Sequence, residues 1–538
     1  MKLTRMLLVA ALVLSLGATG AFAGATEETG MSAGDIYTAS GYPVTTEKIT
    51  LEMVAVIGHK TYPHEGMEFF DMVEEKTNIH VEWRQIQEEA YQEKKNLLFA
   101  SGDYPDAFFM HKTLDPADIL THAPQGVFRA IEDDLAQWAP NLNRILQDRP
   151  EVRLAMQAPD GHVYSMPGIW ESGAEPQLHF FINKTWLDKL GLEMPQTYDE
   201  YREVLRAFKH GDPNGNGEAD EIPLSFRSFG WLGVYPLFSS FGVDRQHHLG
   251  EEMGISIDRD DPTRVIYVAA TDAYREGIEY FHGLYSEGLI DIEAFSHSYA
   301  ELTAKQRQLD PPILGSFTAW SAAYLFGEGV DSGYVTMDPL EGPAGRRWPG
   351  DPPSYFLNAF TVTSAAEYPQ AAVRWADLQY DPEWALQSWF GIIGKHILEK
   401  GDGTYVHAEV PDGFESRISW KNQSVPRGMG IYATPVEVMR LMEPTADQLD
   451  KFAGNAQYAP YIASYVRFPL VYMLEEENDE IADLAPEINQ FTQEMGAKWI
   501  VDGGIEEDWE GYLQRLDSMG LPRLLEIYQK VYDRHLSD

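Results

Sequence analysis

The sequence of 538 residues contains no cysteine. A chain without thiols forms no disulfide bonds, so its stability must come from its core and from any bound ion. The absence also excludes lipid attachment at a bacterial lipobox, because that modification requires a cysteine. We therefore expect a protein without a lipid anchor.

Positive charge is scarce as well. The chain has 41 Lys and Arg residues against 84 Asp and Glu residues, and its formal net charge is −43 at pH 7. Binding to the phosphates of nucleic acids requires a basic surface, so we expect no nucleic-acid partner. The hydrophobic content of 44% and the aromatic content of 12% are typical of a folded globular protein. The length favours roughly two to four domains.

Long apolar runs are missing after the N-terminus. At the N-terminus, Lys2 and Arg5 accompany the apolar run Met6–Leu16, and an A-x-A motif ends at Ala23. This arrangement predicts a secretory signal peptide that is cleaved after Ala23. A membrane anchor is the alternative, but the run is shorter than the roughly 20 residues that span a bilayer. The small and polar segment 24–47 is predicted to be a flexible lead-in.

Oxygen-bearing side chains recur at nearly alternate positions in one acidic turn. They belong to Asp212, Asn214, Asn216, Glu218, Asp220 and Glu221. Ca²⁺ takes about six to eight oxygen ligands, and a tight turn brings alternate residues to face one centre. We predict that Glu218 offers its backbone carbonyl and that the other five bind through their side chains. The alternative is a solvated acidic turn, because Asp, Asn and Gly are ordinary turn formers.

The spacing of this turn agrees with an EF-hand loop at the first, third, fifth, sixth, seventh and ninth positions. Gly215 and Gly217 permit the turn. The acidic closure at Glu221 comes early, and no helix pattern follows at the expected distance. The predicted ion is structural, because protein groups fill its shell and no nucleophile or base is near it.

Strand and helix patterns alternate in the first fifth of the chain. The predicted elements are a strand from Ile49, a helix over His64–Lys76, a strand over His80–Ile86, a helix over Glu89–Ser101 and a short strand over Ala107–Met110. This order predicts a parallel α/β sheet. Ligands of such sheets lie beyond the carboxyl ends of the strands. We therefore include Tyr62, Arg84 and His111 as polar candidates for ligand binding.

Three later segments carry distinct expectations. Pro167 and Gly168 are predicted to form a crossover between lobes, since they follow a turn and a strand pattern. Thr197 with Glu200 forms a capping-box pattern for a helix over Thr197–Lys209. Phe229–Gly242 is rich in aromatics and glycine without a clean period, which favours a loop lining a cavity.

Several stretches together resemble one known family. They include INKTWLDKLGLEMPQTYDEYREVLRAF followed by DPNGNGEADEIPL, then DGHVYSMPG, LYSEGLID, PLEGPAG, TSAAEYPQAAVRWAD and the terminal KWIVDGG. This set resembles the extracellular solute-binding proteins of ABC importers, in the branch with alginate-oligosaccharide binders and LipO-like proteins. The resemblance implies the type II periplasmic-binding-protein fold, with two α/β lobes and a ligand cleft between them.

The resemblance also implies a division of the chain and a function. One lobe would comprise 48–166 and 311–378, and the other 167–310 and 379–538 with the calcium-type loop 212–221. The implied function is capture of a small solute, such as an oligosaccharide, and delivery to an ABC permease in the inner membrane. Many relatives are lipid-anchored, so the lack of cysteine favours a free periplasmic protein, which we expect to be a monomer.

Aromatic side chains supply the remaining ligand candidates. Sugar rings pack their C–H faces on indole and phenol rings. Under the architecture that the resemblance implies, the inter-lobe cleft would include Trp170, Trp231, Tyr235, Trp320 and Trp389. For any one of these residues, burial in a core is an equal alternative.

The sequence carries no P-loop or HExxH motif. Its one GxSxG match, at residues 30–34, lies in the small and polar segment 24–47 and not at a strand-to-helix turn, so it is not a nucleophile elbow. Acidic pairs such as Asp133-Asp134 are expected by chance in so acidic a chain. A secreted polysaccharide-active enzyme remains an alternative, because glycosidase carboxylates meet in space and not in sequence. A binder of peptides or other solutes with the same fold is a second alternative.

Overall fold

The computed structural model describes most of the chain after residue 35. The described ranges are 36–38, 40–58, 62–171, 178–228, 233–243, 254–327, 329–350, 354–414, 416–427, 430–431, 433–462 and 468–537. The predicted signal peptide and Trp231 lie outside these residues.

The strands form two main sheets. In chain order they are β1 (Ile49–Ile57), β2 (Ile79–Gln87), β3 (Ala107–Phe109), β4 (Ser165–Trp170), β5 (His179–Asn183), β6 (Ile222–Ser225), β7 (Ile255–Ile257), β8 (Val265–Tyr267), β9 (Leu314–Ala319), β10 (Tyr334–Met337), β11 (Glu341–Gly342), β12 (Gly345–Arg346), β13 (Ser354–Val362), β14 (Ile397–Glu399), β15 (Tyr405–His407) and β16 (Ala433–Thr434). The larger sheet has the order β16-β4-β13-β3-β1-β2, and the smaller one has the order β10-β5-β9-β6.

Helices pack around both sheets. In chain order they are α1 (Glu68–Thr77), α2 (Glu88–Ser101), α3 (Pro116–His122), α4 (Glu132–Trp138), α5 (Pro140–Gln147), α6 (Pro150–Ala155), α7 (Lys184–Leu190), α8 (Tyr198–His210), α9 (Asp272–Ser286), α10 (Tyr299–Arg307), α11 (Ala322–Phe326), α12 (Pro369–Asp377), α13 (Pro382–Phe390), α14 (Arg417–Lys421), α15 (Val436–Met439), α16 (Ala446–Tyr458), α17 (Glu475–Asp502), α18 (Ile505–Ser518) and α19 (Leu521–Ser537). Among the described residues, none of these helices is both long and apolar enough to cross a bilayer.

The first sheet begins with the predicted parallel unit. β1 pairs in parallel with β2 from Ile49 opposite Ile79 to Ile57 opposite Gln87, and it pairs in parallel with β3 on its other side. Residues 53–55 in β1 are fully buried, as expected for a strand covered on both faces. The prediction of a parallel α/β arrangement from β1 to β3 is confirmed.

Each main sheet has its own hydrophobic core. The first core is built on β1 to β4 and β13 and includes Phe109 and Trp375. The second core joins β5 and β6 to helices α8, α9 and α17 to α19, with Trp186 and Trp499 fully buried. These two cores define a first unit and a second unit of the molecule.

The structure divides the chain differently from the expected 48–166 with 311–378 and 167–310 with 379–538. β9 pairs with β5 and β6, so residues 314–319 belong to the second unit and not to the first. Leu386 in α13 and Ala433 in β16 are part of the first core. Strand pairing between distant segments decides this division, and local sequence periodicity does not reveal such pairing.

Two local expectations are corrected. Pro167 and Gly168 lie within β4 and not at a crossover, because β4 pairs with β13 up to Trp170. Tyr235–Phe241 forms a buried 3₁₀ helix and not a loop lining a cavity, since Phe238 stacks on Phe281 with ring centroids 4.9 Å apart.

Part of the predicted flexible lead-in is ordered by packing. Val44 and Thr45 are fully buried, and the backbone N–H of Val44 donates to the Thr77 carbonyl at 2.9 Å. Segment 40–47 therefore belongs to the first unit, although its polar composition suggested otherwise.

Candidate ligand site and calcium-type loop

The carboxyl edge of the first sheet borders a cavity of about 430 Å³. The cavity lies beyond the ends of β1 and β3, where ligands of parallel sheets bind. It is lined by Val56, Glu88, Tyr91, Gln92, Lys95, His111, Lys112, Leu114, Asp115, Pro116 and Phe356. Of the three polar candidates from the sequence, His111 is in this lining.

His111 packs on an aromatic ring that the sequence reasoning missed. The rings of His111 and Phe356 have centroids 4.4 Å apart with planes inclined by 37°. Burial, together with the charge of Lys112, lowers the pKa of His111 to about 4, so the imidazole is neutral at pH 7. The pair offers an apolar face with a polar edge, which suits a sugar ring.

Trp170 lies at the same edge of the sheet. It ends β4, opposite Ser354 of β13 and Thr434 of β16, and it is half-buried. The next residue, Glu171, receives two hydrogen bonds from the Arg149 guanidinium at 2.6 and 2.7 Å. Trp170 is therefore held by strand pairing on both sides and by an anchored neighbour.

Trp389 lies on α13, which packs against β16. Two cations lie over its ring: Lys421 Nζ is 5.9 Å and the Arg427 guanidinium carbon is 5.6 Å from the ring centroid. Lys421 also donates a hydrogen bond to the Trp389 backbone carbonyl. This half-buried indole therefore has a strongly positive environment.

Trp320 directly follows the carboxyl end of β9 in the second sheet. Lys451 Nζ lies 4.3 Å from its ring centroid, within cation–π distance. His179, which begins β5 at the same edge, bonds Asn455 through Nε2 at 2.9 Å. Burial lowers the pKa of His179 to about 3, and the charge of Lys451 contributes. The second sheet thus also presents an aromatic and cationic edge.

The remaining candidates do not join these groups. Arg84 forms ion pairs with Glu52 and with Asp103, the latter at 3.1 Å. Tyr235 is 3% exposed and belongs to the second core. Tyr62 is 39% exposed and is absent from the cavity lining.

The sequence reasoning missed Phe356, Lys421, Arg427 and Lys451. Phe356 lies in β13, which begins at Ser354 and shifts register between Phe356 and Phe360. The alternating pattern of SYFLNAF was the available signal. The three cations carry no local signal, because they meet their aromatic partners through tertiary contacts.

The calcium-type loop is a series of tight turns between α8 and β6. Asp212 accepts hydrogen bonds from the backbone N–H groups of Gly215 and Gly217, at 2.9 and 3.2 Å. Both glycines have positive φ angles, 76° and 78°, which favour glycine. Lys189 donates to the Pro213 carbonyl at 2.8 Å and holds the loop against α7.

Amide and carboxylate groups converge at the other side of the loop. The side-chain amides of Asn214 and Asn216 donate to the two carboxylate oxygens of Asp220, at 2.8 and 3.0 Å. Asn216 Oδ1 accepts from the Glu218 backbone N–H at 2.7 Å. The side chains of Asn214, Asn216 and Asp220 are therefore joined in one hydrogen-bonded network, and the ligation of an ion by them stays a prediction.

One carboxylate oxygen of Glu221 points into the protein interior. Its Oε1 atom is buried and has no hydrogen-bond partner among the described residues. Burial raises the pKa of Glu221, and the charges of Asp220 and Asp212 raise it further. A divalent cation near these carboxylates would satisfy the buried oxygen and reverse their repulsion, so the donor set fits Ca²⁺.

The loop is not a carboxylate-only site. In the part of the chain that the structure describes, His, Cys, Asp and Glu side chains form no group of three or more that could hold a metal ion. A calcium shell here would depend on Asn214, Asn216 and a backbone carbonyl as well. Such mixed oxygen shells are typical of Ca²⁺.

Comparison with known proteins identifies the family. Residues 67–282 match the model for bacterial extracellular solute-binding proteins. The chain is 33% identical over 480 residues to the fructooligosaccharide ABC transporter substrate-binding protein FusA of Streptococcus pneumoniae serotype 4, and the match covers 86% of both chains.

Solved structures show the same relationship. FusA in complex with kestose is 30% identical, with a TM-score of 0.73 over 91% of this chain and 99% of FusA. A FusA EF-hand mutant in complex with fructo-nystose is 29% identical, with a TM-score of 0.72 over the same shares. An HMO-binding, ABC-transporter-associated solute-binding protein from Bifidobacterium longum infantis is 26% identical, with a TM-score of 0.79 over 90% of this chain and 99% of that one.

These similarities cover both units, and the fold of the matched structures is the two-lobed α/β fold of type II periplasmic binding proteins. The chain belongs to the bacterial extracellular solute-binding proteins, the substrate-binding components of ABC transporters.

Proposed function

We propose that this protein captures an oligosaccharide and delivers it to an ABC permease without changing it covalently. The observation that carries the proposal is the pair of aromatic edges. Trp170, His111 and Phe356 lie at the carboxyl edge of the first sheet, and Trp320 with Lys451 lies at that of the second. Indole faces beside hydrogen-bond donors are what sugar rings require.

Similarity supports a saccharide over a peptide. FusA binds kestose and fructo-nystose, and the Bifidobacterium protein binds HMO. Both are similar to this chain over at least nine-tenths of its length. Fructooligosaccharides are therefore the first probes to use.

Capture proceeds by closure of the two units on the ligand. The chain passes from β4 in the first sheet to β5 in the second and returns from β12 to β13, so the two units are joined by single chain connections and share no sheet. A ligand that contacts both edges binds the closed arrangement more tightly than the open one. That difference in affinity shifts the population towards closure, which the permease recognises.

The place of action is the periplasm. The N-terminal pattern ending at Ala23 supports export, and the lack of cysteine supports a protein free of lipid. The proposed partner is the permease of an ABC transporter in the inner membrane. In this proposal the protein binds the permease as a monomer.

A calcium ion stabilises the second unit in this proposal. Asp212, Asn214, Asn216, Asp220 and Glu221 would hold it through side-chain oxygens, and Glu218 through its carbonyl. The buried, unpartnered Glu221 oxygen supports the assignment. The ion ties the end of α8 to the start of β6, and it takes no part in chemistry.

Calorimetric titration with kestose, fructo-nystose and longer oligosaccharides tests the function. We expect saturable binding, and we expect Trp170→Leu and Trp320→Leu each to weaken it at least tenfold. Trp138→Leu is the matched control, because Trp138 on α4 packs against Tyr37, with ring centroids 5.3 Å apart and planes inclined by 55°, away from both edges. No binding by any oligosaccharide, or appearance of shortened products, would overturn the proposal.

A further inference from the structure

The calcium-type loop contains both Asn-Gly pairs of the sequence, Asn214-Gly215 and Asn216-Gly217. An asparagine before a glycine can lose its side-chain amide, because the glycine has no Cβ atom to hinder the attack of its nitrogen on the asparagine Cγ atom. The two pairs are equivalent in sequence, and their glycines have nearly the same φ angles, 76° and 78°. Any difference in reactivity between them must therefore come from the contacts of the folded loop.

Hydrogen bonds hold the first pair more firmly than the second. The backbone N–H of Gly215 donates to two oxygens of Asp212, to Oδ1 at 2.9 Å and to the backbone carbonyl at 3.1 Å. Among the described residues, the backbone N–H of Gly217 donates only to Asp212 Oδ2, at 3.2 Å. The Gly217 nitrogen therefore leaves its hydrogen bond more easily than the Gly215 nitrogen does.

Solvent exposure also distinguishes the two asparagines. Asn216 is exposed, whereas Asn214 is half-buried. The side-chain carbonyl of Asn216 accepts from the Glu218 backbone N–H at 2.7 Å, a shorter bond than the one of 2.9 Å that Asn214 Oδ1 accepts from the Asn216 N–H. A donor at the carbonyl oxygen stabilises the negative charge that develops there when a nitrogen attacks Cγ. Both comparisons favour reaction at Asn216.

We propose that Asn216 is a site of spontaneous deamidation and that bound calcium protects it. The Gly217 nitrogen forms a bond to Asn216 Cγ, and the bond from Cγ to the side-chain nitrogen breaks. The Gly217 proton passes through water to the leaving nitrogen, which departs as ammonia. A water molecule then opens the resulting succinimide ring, and the product is aspartate or isoaspartate.

Protection by calcium rests on the proposed calcium site. An ion held by the side chain of Asn216 fixes that side chain, and the same ion held by Asp212 fixes the acceptor of the Gly217 N–H. Attack on Cγ requires these groups to move, because the reacting atoms must meet in a defined orientation. An ion that binds only the closed loop also reduces the population of opened loops. Deamidation then occurs mainly in chains that lack the ion.

Deamidation changes the loop in which it occurs. The Asn216 amide donates to Asp220 Oδ2 at 3.0 Å, and conversion to a carboxylate replaces this hydrogen bond by repulsion between like charges. Isoaspartate in addition lengthens the backbone by one methylene group, which disturbs the spacing of the turns. We expect isoaspartate at this position to weaken calcium binding, so a chain that loses the ion becomes less able to bind it again.

Mass spectrometry of the full-length protein tests the inference. The protein is incubated at mildly alkaline pH with calcium or with excess chelator, and fragment ions locate each converted asparagine. In chelator, we expect Asn216 to convert about tenfold faster than Asn214. Calcium should slow the conversion of Asn216 by about tenfold or more. In the urea-denatured chain the two asparagines should convert at similar rates, because only the fold distinguishes the pairs.

Gly217→Ala and Gly215→Ala form a matched pair of variants. Both positions have positive φ angles, and a Cβ atom added at either one has no other atom within 4 Å, so the two variants bear similar strain. Gly217→Ala should slow the conversion of Asn216, whereas Gly215→Ala should not. Equal conversion of Asn214 and Asn216 in the folded protein would show that the assigned site is wrong.

The melting temperature, measured in the same samples, separates this inference from the proposed function. If calcium raises the melting temperature but does not slow the conversion of Asn216, protection is refuted and the calcium site stands. If calcium changes neither quantity, the calcium site fails and protection fails with it. Kestose binding is measured independently, so neither result alters the test of solute capture.

Discussion

Arg149 and Glu171 form a bidentate ion pair next to Trp170, with Nε–Oε1 and Nη2–Oε2 distances of 2.6 and 2.7 Å. Both side chains are about nine-tenths buried. The Val436 backbone N–H also donates to Glu171, at 2.7 Å. The pair therefore joins the end of β4 to the segment after β16, at the carboxyl edge of the first sheet where the candidate ligand site lies.

Breaking this pair should destabilise the first unit. Burial alone would raise the pKa of Glu171, but the hydrogen bonds from Arg149 and Val436 lower it below its ordinary value. Glu171→Ala leaves Arg149 buried with only Glu437 as a charged partner, so we expect a loss of about 3 kcal/mol in the free energy of unfolding. Glu437→Ala should cost less, because Glu437 is more exposed. Equal losses in chemical denaturation would contradict this ranking.

Asp377 should make stability depend on pH. Its carboxylate accepts from the Leu142 N–H at 2.8 Å and from two groups of Asn141 at the start of α5. Burial nevertheless raises its pKa from 3.8 to about 7. The folded state therefore binds the extra proton between these values, and stability falls as pH rises from about 4 to about 7.

The expected slope for this single group is at most about 1.4 kcal/mol per pH unit, and it vanishes above the folded pKa. Denaturation curves of the protein and of Asp377→Asn between pH 5 and 8 measure it as a difference. As pH rises, the free energy of unfolding of the variant should increase relative to that of the parent protein. A difference that stays constant with pH would show that Asp377 is ionised throughout.

The sequence predicts local features of this fold well and distant pairings poorly. The apolar pattern of β1 and the Thr197 cap of α8 lie in single short segments, and both occur in the structure. The predicted capping box is only half present, since Glu200 reaches the Gln196 N–H. The assignment of β9 to the first unit failed because its partners β5 and β6 are distant in sequence.

The candidate site shows the same limit. Trp320 lies where β9 gives way to α11, and the change of period at such a junction is a local feature of the sequence. Its contact with Lys451 joins residues that are 131 positions apart in the sequence. No sequence pattern near either residue predicts this contact. Tyr235 was misread because an aromatic segment without a period suits a buried 3₁₀ helix as well as a loop.

Tyr472 should stabilise the contact between its own segment, near the start of α17, and the first sheet. Its hydroxyl donates to Asn358 Oδ1 at 2.6 Å, and Ser165 Oγ donates to the same oxygen at 3.1 Å. Tyr472→Phe removes one buried hydrogen bond but leaves Asn358 satisfied, so we expect a loss of about 1 kcal/mol. Asn358→Leu removes the shared acceptor and should cost more. A neutral Asn358→Leu in urea denaturation would refute this order.

Calcium should raise the melting temperature through the loop at 212–221. We expect excess chelator to lower it by several degrees and added Ca²⁺ to restore it, because an ion that binds only the folded state stabilises that state. Mg²⁺ should be a poor substitute, since it demands octahedral geometry and gives up water reluctantly. The measurement is thermal unfolding at a series of free Ca²⁺ concentrations.

Two substitutions that each remove one negative charge distinguish direct ligation of Ca²⁺ from attraction by the overall negative charge of the loop. Glu221→Gln alters a side-chain ligand with a buried oxygen, and it should weaken Ca²⁺ binding by at least tenfold. Glu218→Gln alters a residue that offers only its backbone carbonyl, so it should keep affinity within a few-fold of the parent protein. If both variants lose affinity equally, diffuse negative charge holds the ion and the assigned shell is wrong. If neither the parent protein nor Glu218→Gln responds to Ca²⁺, the loop is a solvated acidic turn, and the unpartnered Glu221 oxygen must take a proton instead.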